Sequence, residues 1–284
     1  MPKKNLIALL ADTQLYKELY GLEATRQDWF DALFAAVRAI KSRIDQVSCV
    51  LILGDVLDKE EVGSRAVYVL LQALKELSPY NIPIGMVMGN HDNLADAQSP
   101  ASTNSTAKIA VNWIRVCQQA NPNVVELTLT DPLVIPADGE LGPISVVGCS
   151  HRPRAQIMKT LAESQPLANP QGEVWMCLHQ ALKELSAHVS NWEVTVDDVP
   201  AWVNRVFLGD FHDNLAYRDR LGREFVYPGS TETVSFNQAK TPGFLFYDRR
   251  TKKSEHVSTQ QREYLTFELN KTEPATWEKT VPDR

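Results

Sequence analysis

The sequence predicts an α/β fold in which two β-sheets pack face to face with helices outside. Over the first three quarters of the chain, apolar runs of strand length alternate with amphipathic helical patterns, which implies βαβ units and a largely parallel sheet. After about residue 212 the helical patterns stop and short strands separated by turn signals follow, as in antiparallel β. Five of the apolar runs also end abruptly in oxygen- or nitrogen-bearing side chains, and the C-terminal edge of such sheets is where ligands bind.

The strand-like runs cover about 5–11, 48–54, 82–88, 144–149, 174–178 and 203–208. Between the first two, Trp29, Phe30, Leu33, Phe34, Ala36, Val37 and Ile40 recur at three-to-four spacing, so 25–43 reads as a helix with one apolar face. Further helices are expected near 65–77 and 105–119. Downstream, short strands at 215–218, 224–227, 243–247 and 254–257 flank turns such as Leu221-Gly222-Arg223 and Asp248-Arg249-Arg250. A last strand at 264–269 and a short helix at 273–279 read as the start of an additional module. The organisation expected is therefore a main domain over 1–258 and a partial segment over 259–284.

At 284 residues, with 44% hydrophobic residues, the chain can bury a large α/β core. The apolar stretch after Met1-Pro2-Lys3-Lys4 is broken by Asp12 and lacks a small-residue cleavage site, so it reads as the first strand and not a signal peptide. No segment approaches the roughly 18 apolar residues of a membrane span, and a cytoplasmic location is expected. Cys49, Cys117, Cys149 and Cys177 show no C-x-x-C spacing and read as buried reduced thiols. A net charge of −6 argues against coating nucleic acid by electrostatics alone. A local patch can still supply cations; Lys3, Lys4, Lys108, Arg115, Arg152, Arg154, Lys159, Arg218, Arg220 and Arg223 are candidates, although such charges usually form a solvated face.

The strand tips carry the chemistry. Leu6-Ile7-Ala8-Leu9-Leu10-Ala11 leads into Asp12-Thr13-Gln14, Leu51-Ile52-Leu53-Gly54 into Asp55, and Val87-Met88-Gly89 into Asn90-His91-Asp92. Trp175-Met176-Cys177-Leu178 ends in His179, and Val206-Phe207-Leu208-Gly209 in Asp210-Phe211-His212. Two divalent ions about 3.5–4 Å apart need such a set, with one carboxylate shared between them. Asp12 and Gln14, two apart in an extended segment, point the same way and can chelate one ion. Asp55, at a glycine turn, suits the bridge; Asn90 offers a carbonyl oxygen, His179 an imidazole, and Asp210 with His212 repeats the spacing of Asp12 with Gln14. His91 is then left to protonate a leaving oxygen, with Asp92 placed to orient it. A Gly-Asp pair alone is usually a turn, and a lone histidine is usually just hydrogen-bonded; five tips in this order outweigh those readings. His151 and Arg152 follow another strand on the same edge and read either as contacts to a substrate backbone or as a solvated loop.

With these motifs, the chain resembles the calcineurin-like metallophosphoesterases, whose pattern is D-x-H, G-D-x-x-D, G-N-H-D/E, a lone H after an apolar strand, then G-H-x-H. Gly54-Asp55-Val56-Leu57-Asp58, Gly89-Asn90-His91-Asp92 and His179 match outright. Gln14 stands where the family has His, and Asp210 where the last motif has its first His. Both departures replace nitrogen with oxygen, a harder site that favours Mn²⁺ or Mg²⁺ over Zn²⁺. The resemblance implies a four-layer α/β/β/α sandwich and two divalent metal ions, held by Asp12, Gln14, Asp55, Asn90, His179, Asp210 and His212, with His91 and Asp92 catalytic. The block Tyr227-Pro228-Gly229-Ser230-Thr231-Glu232, then Ser235-Phe236-Asn237 and Gly243-Phe244-Leu245-Phe246, is similar to the corresponding segment of SbcD-type DNA nucleases, although a Pro-Gly turn alone would also explain its first part.

That second likeness implies Mn²⁺-dependent phosphodiester cleavage in DNA repair or recombination, as a double-strand 3′–5′ exonuclease, a single-strand endonuclease, or both. It also implies a small capping module beginning near 264–269, an SbcC-type ABC ATPase partner, and a homodimer through helices. The aromatic-rich helix 29–40 or helix 105–119 could serve, although a Trp and two Phe on one helix are more often core than interface. The chain ends before the long helical segment that docks the ATPase in that family. The competing expectations are a phosphomonoesterase or small-molecule phosphodiesterase on the same centre, and a weakened scaffold that binds DNA ends or the ATPase without cutting.

Overall fold

The computed structural model describes residues 4–58, 63–92, 112–185, 192–235 and 238–263. In chain order the elements are β1 (Leu6–Leu10), α1 (Thr25–Ser42), β2 (Val47–Leu53), α2 (Ser64–Leu77), β3 (Ile84–Val87), α3 (Trp113–Ala120), β4 (Val124–Glu126), β5 (Leu133–Ile135), β6 (Ile144–Cys149), α4 (Arg154–Glu163), β7 (Glu173–His179), β8 (Arg205–Gly209), β9 (Leu215–Arg218), β10 (Glu224–Tyr227), β11 (Gly243–Asp248) and β12 (Lys253–Ser258). They form two six-stranded sheets, ordered β12-β11-β1-β2-β3-β4 and β5-β6-β7-β8-β10-β9.

β1 to β3 and β6 to β8 are buried on both faces, which is why they read as continuous apolar runs and not as alternating ones. Side chains alternate between two cores. Ala8, Val50, Ile52 and Met86 face Trp29, Leu33, Val37 and Ile40 of α1 and Leu70 and Leu74 of α2. Ile7, Leu9, Leu51 and Leu53 turn the other way, onto Val146, Trp175, Cys177 and Phe207 of the second sheet. On the far side of that sheet, Val147, Met176, Val206 and Leu208 pack on Ile157 and Leu161 of α4. The result is the expected α/β/β/α sandwich.

The division near residue 212 is corrected. β6, β7 and β8 already belong to the second sheet; β10 joins it beside β8 in parallel and β9 follows antiparallel, while β11 and β12 return to the first sheet beside β1. Local periodicity identifies a strand but not its sheet. β4, β5 and α4 were not expected from the sequence. The two strands have three residues each, and α4 buries only Ile157 and Leu161, too few positions to give a period. α3 occupies 113–120; the earlier part of the expected 105–119 helix lies outside the described residues, as do 264–269 and 273–279, and with them most of the expected capping segment. Trp29 and Phe30 are buried against the first sheet, so the aromatic face of α1 is core and not an interface. All four cysteines are buried free thiols. No helix among the described residues is long and apolar enough to cross a membrane.

Candidate metal centre

β1, β2, β3, β7 and β8 end at one edge, and their tips converge there. Ligand atoms of Asp12, Asp55 and His179 all lie within 4.8 Å of one another, and all three side chains are buried. His179 Nε2 is 3.4 Å from Asp55 Oδ1, and His212 Nε2 is 3.8 Å from Asp12 Oδ1 and 3.3 Å from the Gln14 amide nitrogen. Asp210 sits beside Asp12, whose Oδ2 accepts from the Asp210 N–H at 3.2 Å. Asn90 is exposed at the same edge.

Backbone geometry aims these groups. Asp12, Gln14, Asp55 and Asp210 have φ of 48°, 34°, 49° and 97°, in the left-handed region that non-glycine residues rarely enter. Asp12 and Gln14 therefore do not share a side by extended alternation, as expected from their spacing. A left-handed turn places them, fixed by the Asp12 N–H on Gly54 O (3.1 Å) and the Gln14 N–H on Asp55 O (2.9 Å). Each such tip is a cost that only surrounding structure sustains, and strain of this kind gathers at functional sites. At Gly89 a Cβ would stand 1.9 Å from Asp55 Oδ1, so only glycine leaves room for that carboxylate.

Histidine orientation follows from acceptors that cannot donate. His179 must donate Nδ1–H to the Leu53 carbonyl, 2.7 Å away, which leaves Nε2 directed at the centre. His91 is held likewise by Nδ1 on the Asp58 carbonyl. Its Nε2 lies 3.8 Å from Asp55 Oδ2, and the side chain is 36% exposed at the mouth. Asp92 does not orient His91, contrary to expectation. Its buried carboxylate accepts instead from the N–H groups of Val56 (3.2 Å), Leu57 (2.9 Å) and Gly89 (3.0 Å), and so clamps the Asp55 loop to the Gly89 loop.

Electrostatics calls for positive charge here. Burial pushes the Asp12 carboxyl well above its ordinary pKa, outweighing the pull of His179. For Asp55 burial acts the same way, but His179 and His91 win and hold it low. Burial would lower His179, yet Asp55, Asp12 and Asp210 raise it well above its usual value. Burial, reinforced by Lys17, takes His212 down to about 4, so its imidazole is neutral and able to ligate near pH 7. Asp12 Oδ1, Gln14 Oε1 and His179 Nε2 are buried without hydrogen-bond partners, a combination that native interiors avoid unless an ion or water satisfies it. These orphaned donors, two oxygens and a nitrogen amid excess carboxylate, fit a divalent cation.

The residues around the centre were legible only in part. His151 is buried, with Nε2 2.9 Å from Glu193 Oε1 and its ring edge-on to His179 at 6.3 Å. It lies beside the centre and not in a solvated loop, whereas Arg152 is exposed. Glu193 gave no signal because it comes from a separate loop. The Tyr227–Ser230 block braces the site: Tyr227 donates to Gln180 O and accepts from Leu182 N–H, while Ser230 N–H donates to His212 O.

Residues 6–127 match the calcineurin-like phosphoesterase family. Among curated proteins, similarity runs to DNA double-strand break repair proteins named Mre11. The one from Sulfurisphaera tokodaii is 26% identical over 233 residues, covering 81% of this chain and 55% of the relative. That from Archaeoglobus fulgidus is 27% identical over 237 residues, covering 82% and 51%. A Bacillus subtilis metallophosphoesterase, YhaO, is 22% identical over 286 residues, covering 96% of this chain and 62% of its own. The chain thus spans about half the length of the Mre11 relatives. Among solved structures, TT1561 of Thermus thermophilus superposes with a TM-score of 0.52 at 12% identity, covering 90% of this chain and 99% of that one, a likeness of fold alone.

Proposed function

We propose that this protein is a metal-dependent DNA nuclease that hydrolyses phosphodiester bonds, with roles in repair or recombination. One ion is assigned to Asp12, Gln14, Asp55 and His212 and a second to Asp55, Asn90, His179 and Asp210, with Mn²⁺ preferred and Mg²⁺ next because the donors are mostly oxygen. Bound ions would supply an activated water and positive charge for the phosphoryl oxygens.

The observation that carries the reading is His91. Its ring is fixed by Nδ1, its Nε2 faces the mouth of the centre, and it belongs to neither ligand set. A protonated Nε2 there hands its proton to the leaving oxygen. DNA as substrate is supported by the similarity to the Mre11 repair proteins. A second copy of the chain and an SbcC-type ATPase are the partners this reading brings, with a cap beginning after residue 258.

End-labelled single- and double-stranded DNA in Mn²⁺ or Mg²⁺ tests it. His91→Ala is expected to cut about 10²–10⁴-fold more slowly while retaining its metal content. Loss of metal as well would make His91 a ligand. Wild type that hydrolyses phosphomonoesters but leaves both DNAs intact would replace the nuclease reading with a phosphatase one.

A further inference from the structure

The chain is acidic overall, and many described cations are paired with carboxylates, as in Lys17–Asp58, Arg26–Glu18, Lys41–Glu76 and Arg223–Asp219. Arg154 and Lys183 are different. Among the described residues neither is ion-paired; each lies over the half-buried Trp192, with Arg154 Cζ 3.5 Å and Lys183 Nζ 4.9 Å from the ring centroid. The indole face holds a cation in place without neutralising it, which leaves the charge available to an anion.

Their position matters as much as their charge. Trp192 adjoins Glu193, whose carboxylate bonds His151 and the Ala181 N–H, and His151 stands against His179 in the metal centre. Arg154 opens α4 directly beyond the β6 tip, and Lys183 follows β7 by four residues. Alongside, a cavity of about 730 Å³ is lined by Ser150, His151, Arg152, Thr128 and Gln156, with Glu126 the one acidic group in its wall, and has room for a nucleotide.

We propose that Arg154 and Lys183, seated on Trp192, bind backbone phosphates that flank the scissile one on the same nucleic-acid strand. The assignment rests on the nuclease reading for its ligand and adds where the strand runs, over the tips of β6 and β7 toward α4. Arg152, on the rim of the cavity, is the next cation along that track. His151 is then a positioning residue, held by Glu193 between this track and His179.

The test is equilibrium binding of a fluorescent single-stranded oligonucleotide across a salt series, with Ca²⁺ replacing Mn²⁺ to prevent cutting. Wild type is compared with Arg154→Gln/Lys183→Gln and with Lys159→Gln, which removes an exposed cation further along α4. Each lost phosphate contact is expected to lower the slope of log K against log salt by about 0.7. The double variant should therefore lose about 1.4 in slope and bind roughly tenfold more weakly at low salt, with Lys159→Gln unchanged. Equal slopes in wild type and double variant, an equal fall in Lys159→Gln, or no binding by wild type would each overturn the proposal. Cleavage in Mn²⁺ is scored separately. Wild type that binds with these slopes but does not cut keeps the clamp and loses the nuclease reading. Cutting without any change of binding in the double variant does the reverse.

Discussion

Gln14 brings a neutral amide to a corner of the centre where an imidazole would bind a metal more tightly and more softly. Its Oε1 is among the buried donors without a partner, so the residue is placed to ligate but is a weak donor. Gln14→His should tighten the Asp12 side of the centre and move preference toward Zn²⁺ or Co²⁺. Calorimetric titration of both proteins checks this; identical affinities would remove Gln14 from the ligand set. Gly209 gives a second test at this scale. A Cβ there would stand 2.1 Å from Leu53 O and 2.5 Å from His179 Nδ1, the two atoms whose hydrogen bond sets the imidazole. Gly209→Ala should cost roughly 10–100-fold in metal affinity, the scale expected when an outer partner of a ligand is lost.

At the scale of elements, the site is a set of strand ends held together by loop-to-loop bonds. Asp92 is the main tie, accepting from Val56, Leu57 and Gly89. Asp92→Ala strands three buried N–H groups and should cost about 3 kcal/mol or more, read as a lower urea midpoint, with metal binding weakened because Asp55 loses its frame. The tips themselves were legible, since five apolar runs ending in Asp, Asn or His in this order outweigh the structural reading that any one of them would have alone. How the tips turn was not. Positive φ at Asp12, Gln14, Asp55 and Asp210 depends on cross-loop bonds that no local pattern encodes, and the Asp92 tie runs across 35 residues. Glu193 and the β10–β11 return to the first sheet were hidden for the same reason: they are decided by which distant partner is nearest.

For the molecule as a whole, the Arg223–Asp219 pair locks the β9–β10 turn to the loop before β8. Arg223 Nε is 2.6 Å from Asp219 Oδ2, and its other nitrogens donate to the carbonyls of Val196, Val199 and Pro200. Burial would raise the Asp219 carboxyl, but the Arg223 guanidinium outweighs it and holds the pKa below the ordinary value. A carboxylate lowered on folding stabilises above its unfolded pKa, near 4, and that contribution is lost as pH falls through the folded value. Asp219→Asn should thus be less stable than wild type at neutral pH, by about 3 kcal/mol for a broken buried pair, and the gap should narrow below pH ~4. A gap of constant size in urea titrations across that range would mean the charge is not what matters.

The centre also lies across the seam between the sheets. Asp12, Gln14, Asp55 and Asn90 come from the first sheet, and His179, Asp210 and His212 from the second, while His179 already reaches over to Leu53. An ion bound there would act as a clasp, and a chelator would leave several carboxylates repelling one another where the strand tips of the two layers converge. Opening should then begin at the tips and run toward the strand middles. Backbone amides at Asp12, Gln14 and Asp210 should exchange with solvent much faster in chelator than in saturating Mn²⁺, while those at Leu51 and Phe207 change little. At 100 times the dissociation constant the clasp is worth about 2.7 kcal/mol, so the two sheets would melt as one body when loaded and fray from the active edge when stripped.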